Sequence, residues 1–279
     1  MDDLFTNILF QAKSTHTAAA AINTLNHQTT IAIVRAAERA DRNVIIQPST
    51  GTVLAYGVDE TLAMINAVRR DARVMVSLHL DHCRDEALAK ACVDAGWDSV
   101  MVDYSGLPYE QNAEKTRAMV DYAHARCVTV EGEIGVIAGV EDEISSACAA
   151  PATFEDTIRF VRYTGIDAVA PAIGTAHGVY KTAPKLNFEL VERFGKEDTP
   201  LVVHGGTGLS ADTFLRLIRL GAAKINISTA LKKTYLGACR NHLSDAKIAP
   251  VDFDTAVRED CENEMYRYIA LFGGVAQTL

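Results

Sequence analysis

Short apolar runs rich in valine, isoleucine and alanine alternate with longer amphipathic stretches along the whole chain, and the alternation predicts two kinds of element. The strand candidates are Ala18–Asn23, Val44–Gln47, Val74–Leu80, Ser99–Asp103, Val128–Glu133, Ala168–Ile173, Leu201–His204 and Ala223–Ile227. They carry few polar residues before their last positions, as parallel strands buried on both faces do. Helical periodicity fills the intervals at Thr30–Ala40, Asp59–Arg70, Asp85–Ala95, Tyr109–Arg126, Thr153–Tyr163 and Ser210–Leu220. Thr153 and Ser210 stand where N-caps belong, with acids in the turn behind them. Eight such alternations in 279 residues predict an α/β chain folded as a (β/α)8 TIM barrel, one domain over 1–279. A doubly wound sheet would instead place a glycine-rich dinucleotide loop after the first strand, where Asn23-Thr24-Leu25-Asn26-His27 stands. A further helical stretch, Asp254–Leu271 in an extension over about 252–272, follows the eighth unit and is expected to cover the barrel or meet a partner subunit.

Charge narrows the ligands. Lys plus Arg number 27 against 36 for Asp plus Glu, a net charge of −9. That balance argues against nucleic acid and anionic membranes as partners, since both require a basic surface. It leaves open a small anion held by a few aimed groups. Six cysteines with no CxxC spacing read as reduced thiols, and Met1-Asp2-Asp3-Leu4 opens acidic with no apolar run behind it. No stretch approaches the roughly 20 apolar residues of a membrane span. The expected location is the cytoplasm.

The candidate chemistry lies at strand ends, which converge on one mouth of a barrel. The third strand runs into His79-Leu80-Asp81-His82, the sixth into Gly174-Thr175-Ala176-His177-Gly178, and the seventh ends His204-Gly205-Gly206. Three histidines at that mouth, His82, His177 and His204, can form a three-nitrogen zinc site with an open fourth position. His79 is read as a core histidine that orients the loop. Asp81 adjoins His82, Asp103 ends the fourth strand, and Glu131 and Glu133 alternate on the fifth, so both face one way. Acids facing a barrel interior need a partner or a cation, which makes Asp103 and Glu133 candidates for a second cation or a structural role. Gly205-Gly206-Thr207-Gly208 leads into a helix and Asn226-Ile227-Ser228-Thr229 follows the eighth strand, the place where barrels commonly seat a phosphate. The segments from Gly135 to Pro151 and from His177 to Pro184 are long for βα loops and are expected at the same mouth.

The segments Leu78–Cys83, Gly139–Asp142, Gly174–Lys181, Val203–Leu209 and Lys224–Thr229 together resemble the class II, zinc-dependent fructose-bisphosphate and tagatose-bisphosphate aldolases. The resemblance implies Zn2+ on His82, His177 and His204 as a Lewis acid, Asp81 handling a hydroxyl proton, and Glu141 exchanging a proton with the carbon of a dihydroxyacetone phosphate enediolate. It implies a phosphate held by Gly178, Gly205, Thr207, Ser228 and Thr229, with a monovalent cation (Na+ or K+) nearby. Asn226 would touch the bound triose, Lys181 is a matching basic residue, and Gln47 and Ser49 would contribute from the second strand. A homodimer or homotetramer is implied as well. Thr207 stands where the family commonly has serine, and Ala138 and Val140 interrupt a loop that is usually Gly-Gly followed by acid. The C-terminal segment offers only Arg258 near the position expected to meet a second phosphate. The implied substrate is therefore a ketose 1-phosphate, either a fructose or tagatose bisphosphate or a hexose phosphate altered at carbon six, such as a deoxy or sulfo sugar. The alternatives are a metal-dependent sugar-phosphate epimerase or isomerase, which would not need Asp81 with Glu141, and a non-catalytic aldolase-like subunit, which should have lost ligands.

Overall fold

The computed structural model describes residues 3–141, 144–146, 150–178, 184–276 and 278–279. The elements in chain order are α1 (Leu4–Ser14), β1 (Ala19–Ile22), α2 (His27–Ala40), β2 (Val44–Ile46), α3 (Thr50–Tyr56), α4 (Val58–Arg69), β3 (Val76–Cys83), α5 (Glu86–Asp94), β4 (Ser99–Val102) and α6 (Tyr109–His124). They continue with β5 (Thr129–Ile134), β6 (Ala138–Glu141), β7 (Ile144–Ser146), α7 (Phe154–Thr164), β8 (Ala168–Pro171), β9 (Ala176–His177) and α8 (Phe188–Phe194). The chain closes with β10 (Leu201–Val203), α9 (Ala211–Arg219), β11 (Ala222–Ile227), α10 (Thr229–His242) and α11 (Pro250–Phe272).

Eight parallel strands close into a barrel in the order β1-β11-β10-β8-β5-β4-β3-β2. These are the eight strands the apolar runs predict, and the (β/α)8 expectation holds. Strand periodicity sorts their residues into two populations. One set, including Ala20, Ile22, Val44, Ile46, Leu78, Leu80, Val100, Val130, Val169, Val203 and Ile225, joins the large core beneath the helices. The alternate set at Ala19, Ala21, Ile45, Ala168, Ala170 and Val202 forms a second core with Phe5, Ile8 and Leu9 of α1. Four alanines inside the barrel leave the width that α1 fills. This helix is capped by Asp3, which accepts from the Thr6 N–H at 2.8 Å.

The helices α2, α4, α5, α6, α7 and α9 lie where periodicity puts them. Thr153 and Ser210 cap α7 and α9 through hydrogen bonds from the backbone of Asp156 and Thr213. The C-terminal extension forms one helix, α11, packed against α2 and α10. Four helices go beyond the sequence expectation: α1, the one-to-two-turn α3 and α8, and α10. The long segment after β5 also differs from a plain loop. Part of it forms an antiparallel pair, β6 with β7, and β6 pairs in parallel with β9 as Gly139 opposite His177. No helix among the described residues is long and apolar enough to cross a membrane.

Candidate active site

Inward-facing positions change character at the C-terminal ends of the strands. Ala19 and Ala21 are followed by Asn23, Ile45 by Gln47, and Val202 by His204, and all three polar side chains are buried. The end of β3 needs a special device, because Asp81 and His82 are neighbours and a regular strand would send them to opposite faces. Leu80 pairs with Val100 but Cys83 pairs with Val102, so three steps on β3 match two on β4. The extra residue is absorbed at His82, whose φ is 46°, a left-handed conformation rare for a non-glycine residue. This bulge places a ligating atom of Asp81, of His82 and of His204 within 4.8 Å of one another.

The two imidazoles face each other. His204 Nδ1 lies 2.6 Å from His82 Nε2, with the rings edge-on. Each ring turns its other nitrogen to a carboxylate. His204 Nε2 donates to Glu131 Oε1 at 2.8 Å, and His82 Nδ1 lies 3.4 Å from Asp103 Oδ2 and 3.7 Å from Glu133 Oε2. Burial works to lower the pKa of His82, but Asp81, Asp103 and Glu133 outweigh it and lift the value well above 6.5. Burial and the neighbouring His82 instead push His204 down to about 3. Two ring nitrogens 2.6 Å apart share a proton, and these opposite shifts favour His82 as its carrier and His204 as its acceptor. Histidines whose outer nitrogens face carboxylates while their inner nitrogens converge on one point are an arrangement that could hold a divalent cation.

Asp81 is held at both oxygens. Asn23 Nδ2 donates to Oδ2 at 2.7 Å, Asn226 Nδ2 approaches Oδ1 at 3.3 Å, and Gln47 Nε2 donates to Asn23 Oδ1 at 2.9 Å. Gln47 Oε1 and Asn226 Oδ1 are buried without a hydrogen-bond partner. Ser49 stands beside Asp81 in a parallel bridge and caps α3. Asp103 accepts from the Arg84 guanidinium at 3.1 and 3.2 Å, and Ser105 Oγ lies 2.6 Å from Asp103 and 3.0 Å from Glu133. Burial would raise Asp103, yet His82, Ser105 and Arg84 hold it low, whereas burial and the Asp103 charge raise Glu133 well above 4.5. Lower in the barrel, Glu131 Oε2 accepts from Lys224 Nζ at 2.9 Å. His79 stacks on Phe5 and has its Nδ1 2.7 Å from Ser99 Oγ, in the core position expected of it.

A cradle lies beside this cluster. Gly205 has a φ of +67°, and a Cβ there would stand 2.5 Å from the carbonyl oxygen of Ala176. Only glycine lets the loop after His204 approach β9 so closely, and the backbone of His177 is thereby brought to the His204 loop. Thr207 Oγ accepts from the N–H of Ala230 at 3.3 Å, in the first turn of α10. Ser228 and Thr229 stand at the start of that helix, and Ser228 Oγ is buried without a partner. Gly178 has a φ of +92°. Lys181 lies outside the described residues, as do the side chains of His177 and Glu141. Arg258, on α11, donates to Gln28 Oε1 at 3.1 Å and to Thr255 Oγ at 3.4 Å. Asn23, Arg84, Ser105 and Lys224 take part in these contacts without having been singled out from sequence. The signals were a polar residue closing the first apolar run and a lysine inside Ala222–Ile227.

A (β/α)8 barrel with an acid–imidazole cluster, a close-packed glycine loop and a helix N-terminus at its C-terminal mouth has the usual framework of a barrel enzyme. The sequence matches the family described as Fructose-bisphosphate aldolase class-II over residues 4–277. It is 38% identical over 231 residues to a fructose-bisphosphate aldolase of Geobacillus stearothermophilus, covering 81% of this chain and 80% of that one. It is 36% identical over 228 residues to a sulfofructosephosphate aldolase of Alkalicoccus urumqiensis, covering 81% and 79%. Among solved structures it is similar to the YdjI aldolase from Escherichia coli K12, with a TM-score of 0.87 and 30% identity over 99% of this chain and 98% of that one. The chain belongs to the class II fructose-bisphosphate aldolase family and is an aldolase, a carbon–carbon lyase.

Proposed function

We propose that the protein reversibly cleaves a ketose 1-phosphate into dihydroxyacetone phosphate and an aldehyde, with Zn2+ on His82, His177 and His204. The observation that carries this reading is the pair of opposed imidazole nitrogens at 2.6 Å, each ring backed by a carboxylate. A divalent cation held there supplies Lewis-acid polarisation of the ketose carbonyl. Asp81, fixed by Asn23 and Asn226, is the base that takes the proton of the hydroxyl next to the breaking bond. As that hydroxyl becomes the aldehyde carbonyl, the electron pair of the carbon–carbon bond passes toward the ketose carbonyl. Glu141, closing β6 beside β9, then returns a proton to the carbon left behind. Gly178, Gly205, Thr207, Ser228 and Thr229 hold the phosphate, a role supported by the unpartnered Ser228 hydroxyl at a helix N-terminus. Asn226 Oδ1 and Gln47 Oε1, both buried and unpartnered, are acceptors for substrate hydroxyls.

In this proposal residues 1–279 form one catalytic domain that assembles as a homodimer or homotetramer, and the exposed Leu236, Leu243 and Val251 near α10 and α11 support such assembly. The group at carbon six is a second phosphate or a sulfonate-like or deoxygenated end, and relatives of both named kinds stand at similar identity. Release of dihydroxyacetone phosphate from a panel of fructose, tagatose and C6-altered ketose 1-phosphates, with and without chelator, tests the reading. Chelator-sensitive release from one member is expected. Metal-loaded protein that releases none from any member overturns it.

A further inference from the structure

We infer that Glu131 and Lys224 are positioning residues that hold His204 in the orientation and tautomer presenting its Nδ1 to a divalent cation. The inference rests on the reading of His204 as a metal ligand and deepens it. Glu131, in β5, and Lys224, in β11, are both fully buried. Glu131 Oε1 accepts from His204 Nε2 at 2.8 Å while Oε2 accepts from Lys224 Nζ at 2.9 Å. His79 Nε2 stands 3.6 Å from the same Oε2.

The chemistry of these groups makes the arrangement directional. A neutral imidazole carries one proton, and its other nitrogen holds the lone pair. A carboxylate accepts only, so contact with Glu131 puts the proton on Nε2 and the lone pair on Nδ1. Lys224, occupying the second oxygen, keeps the carboxylate ionised and fixes its rotamer. The contacts of His82 Nδ1 with Asp103 and Glu133 are longer, at 3.4 and 3.7 Å.

Stability alone does not call for this pair. Replacing a buried ion pair by well-packed apolar residues is commonly neutral or stabilising. The register neighbours of Glu131 and Lys224, Ala168 and Ala19 in the core around α1, are packed in that apolar way. A lysine and a glutamate here spend desolvation energy on direction.

Two variants separate direction from stability, read by titration with Co2+ and Zn2+ and by the visible spectrum of bound Co2+. Wild type should bind one ion per chain, and its failure to do so would overturn the metal reading itself rather than this inference. In Glu131→Leu with Lys224→Met the buried charges are removed together. The metal-free double variant should then melt within a few degrees of wild type while its metal dissociation constant rises about 10–100-fold. In Glu131→Gln two donors compete for one amide oxygen. The charged Lys224 takes it, the amide NH2 faces His204 Nε2, and the proton moves to Nδ1, so metal binding again weakens by about tenfold or more. Wild-type affinity and spectrum in Glu131→Gln overturn the inference, whether or not the double variant folds.

Discussion

The interior of the barrel has two halves built on the same strands and the same inward register. In the lower half Ala19, Ala21, Ile45, Ala168, Ala170 and Val202 close around Phe5, Ile8 and Leu9 of α1. In the upper half the next inward positions are Asn23, Gln47 and His204, joined by Asn226, Asp81, His82 and Glu133, and between the two halves Glu131 and Lys224 stand beside Ala168 and Ala19. The lower half is held by the burial of apolar area, which is non-directional and tolerant of small shifts. The upper half is held by hydrogen bonds of defined donor and acceptor, in which each lost partner leaves a buried polar group exposed to its full desolvation penalty. A plug of one helix thus provides a firm floor, and the polar groups above it can be aimed without also having to hold the barrel together.

Substitutions in the two halves should therefore fail differently. The largest effect belongs to His82→Ala, which removes a proposed metal ligand. Turnover should fall about 1,000-fold or more, several kcal/mol of transition-state stabilisation, together with the bound metal measured by elemental analysis. Full metal content with normal turnover would remove His82 from the site. Asp81→Asn keeps the shape and takes away the proton acceptor, so kcat should drop about 100-fold or more while metal content stays near one per chain. An unaltered kcat would move the base elsewhere. In the lower half Leu9→Ala removes a fully buried side chain of α1, at a cost of about 2–5 kcal/mol in denaturant unfolding. Its kcat per folded molecule should remain within about twofold, since Leu9 belongs to the apolar core around α1. A large loss of kcat in a folded Leu9→Ala protein would show that the floor and the chemistry are not separable.

The two halves were unequally legible in the sequence. The eight strands announced themselves because residues buried on both faces must nearly all be apolar. The histidines and Asp81 stood out because polar residues closing such runs are costly without a purpose. Hidden from sequence was the bulge at His82. It depends on how β3 registers against β4, a long-range fact, and without it Asp81 and His82 could not share a face. The partner of Glu131 was hidden for the same reason, since Lys224 lies 93 residues away and only closure of the barrel brings the two together. The helix α1 carries an apolar spacing at Leu4, Phe5, Ile8 and Leu9 that is easy to overlook in 11 residues before the first strand. Its role as a plug follows only from the alanines opposite it.

The smallest expected effect concerns a single proton and tests the upper half alone. His82 has its pKa raised well above 6.5, against the pull of burial, by Asp81, Asp103 and Glu133, while His204 is held near 3. A proton held on His82 in the metal-free chain is one that a metal must displace. A group whose folded pKa is raised stabilises the folded state fully below its unfolded value and loses that contribution as pH rises through the folded one. The metal-free protein should accordingly lose stability from about pH 6.5 upward, and the gap in melting temperature between metal-loaded and metal-free protein should widen over the same range. Addition of Zn2+ in weak buffer at pH 7 should release about one proton per chain, read with a pH indicator. Glu133, also raised, faces His82 from β5 and is the other group able to give up a proton, so Glu133→Gln distinguishes the sources. Release that persists in Glu133→Gln assigns the proton to His82, and no release in either protein would show that the two imidazoles do not hold a proton between them.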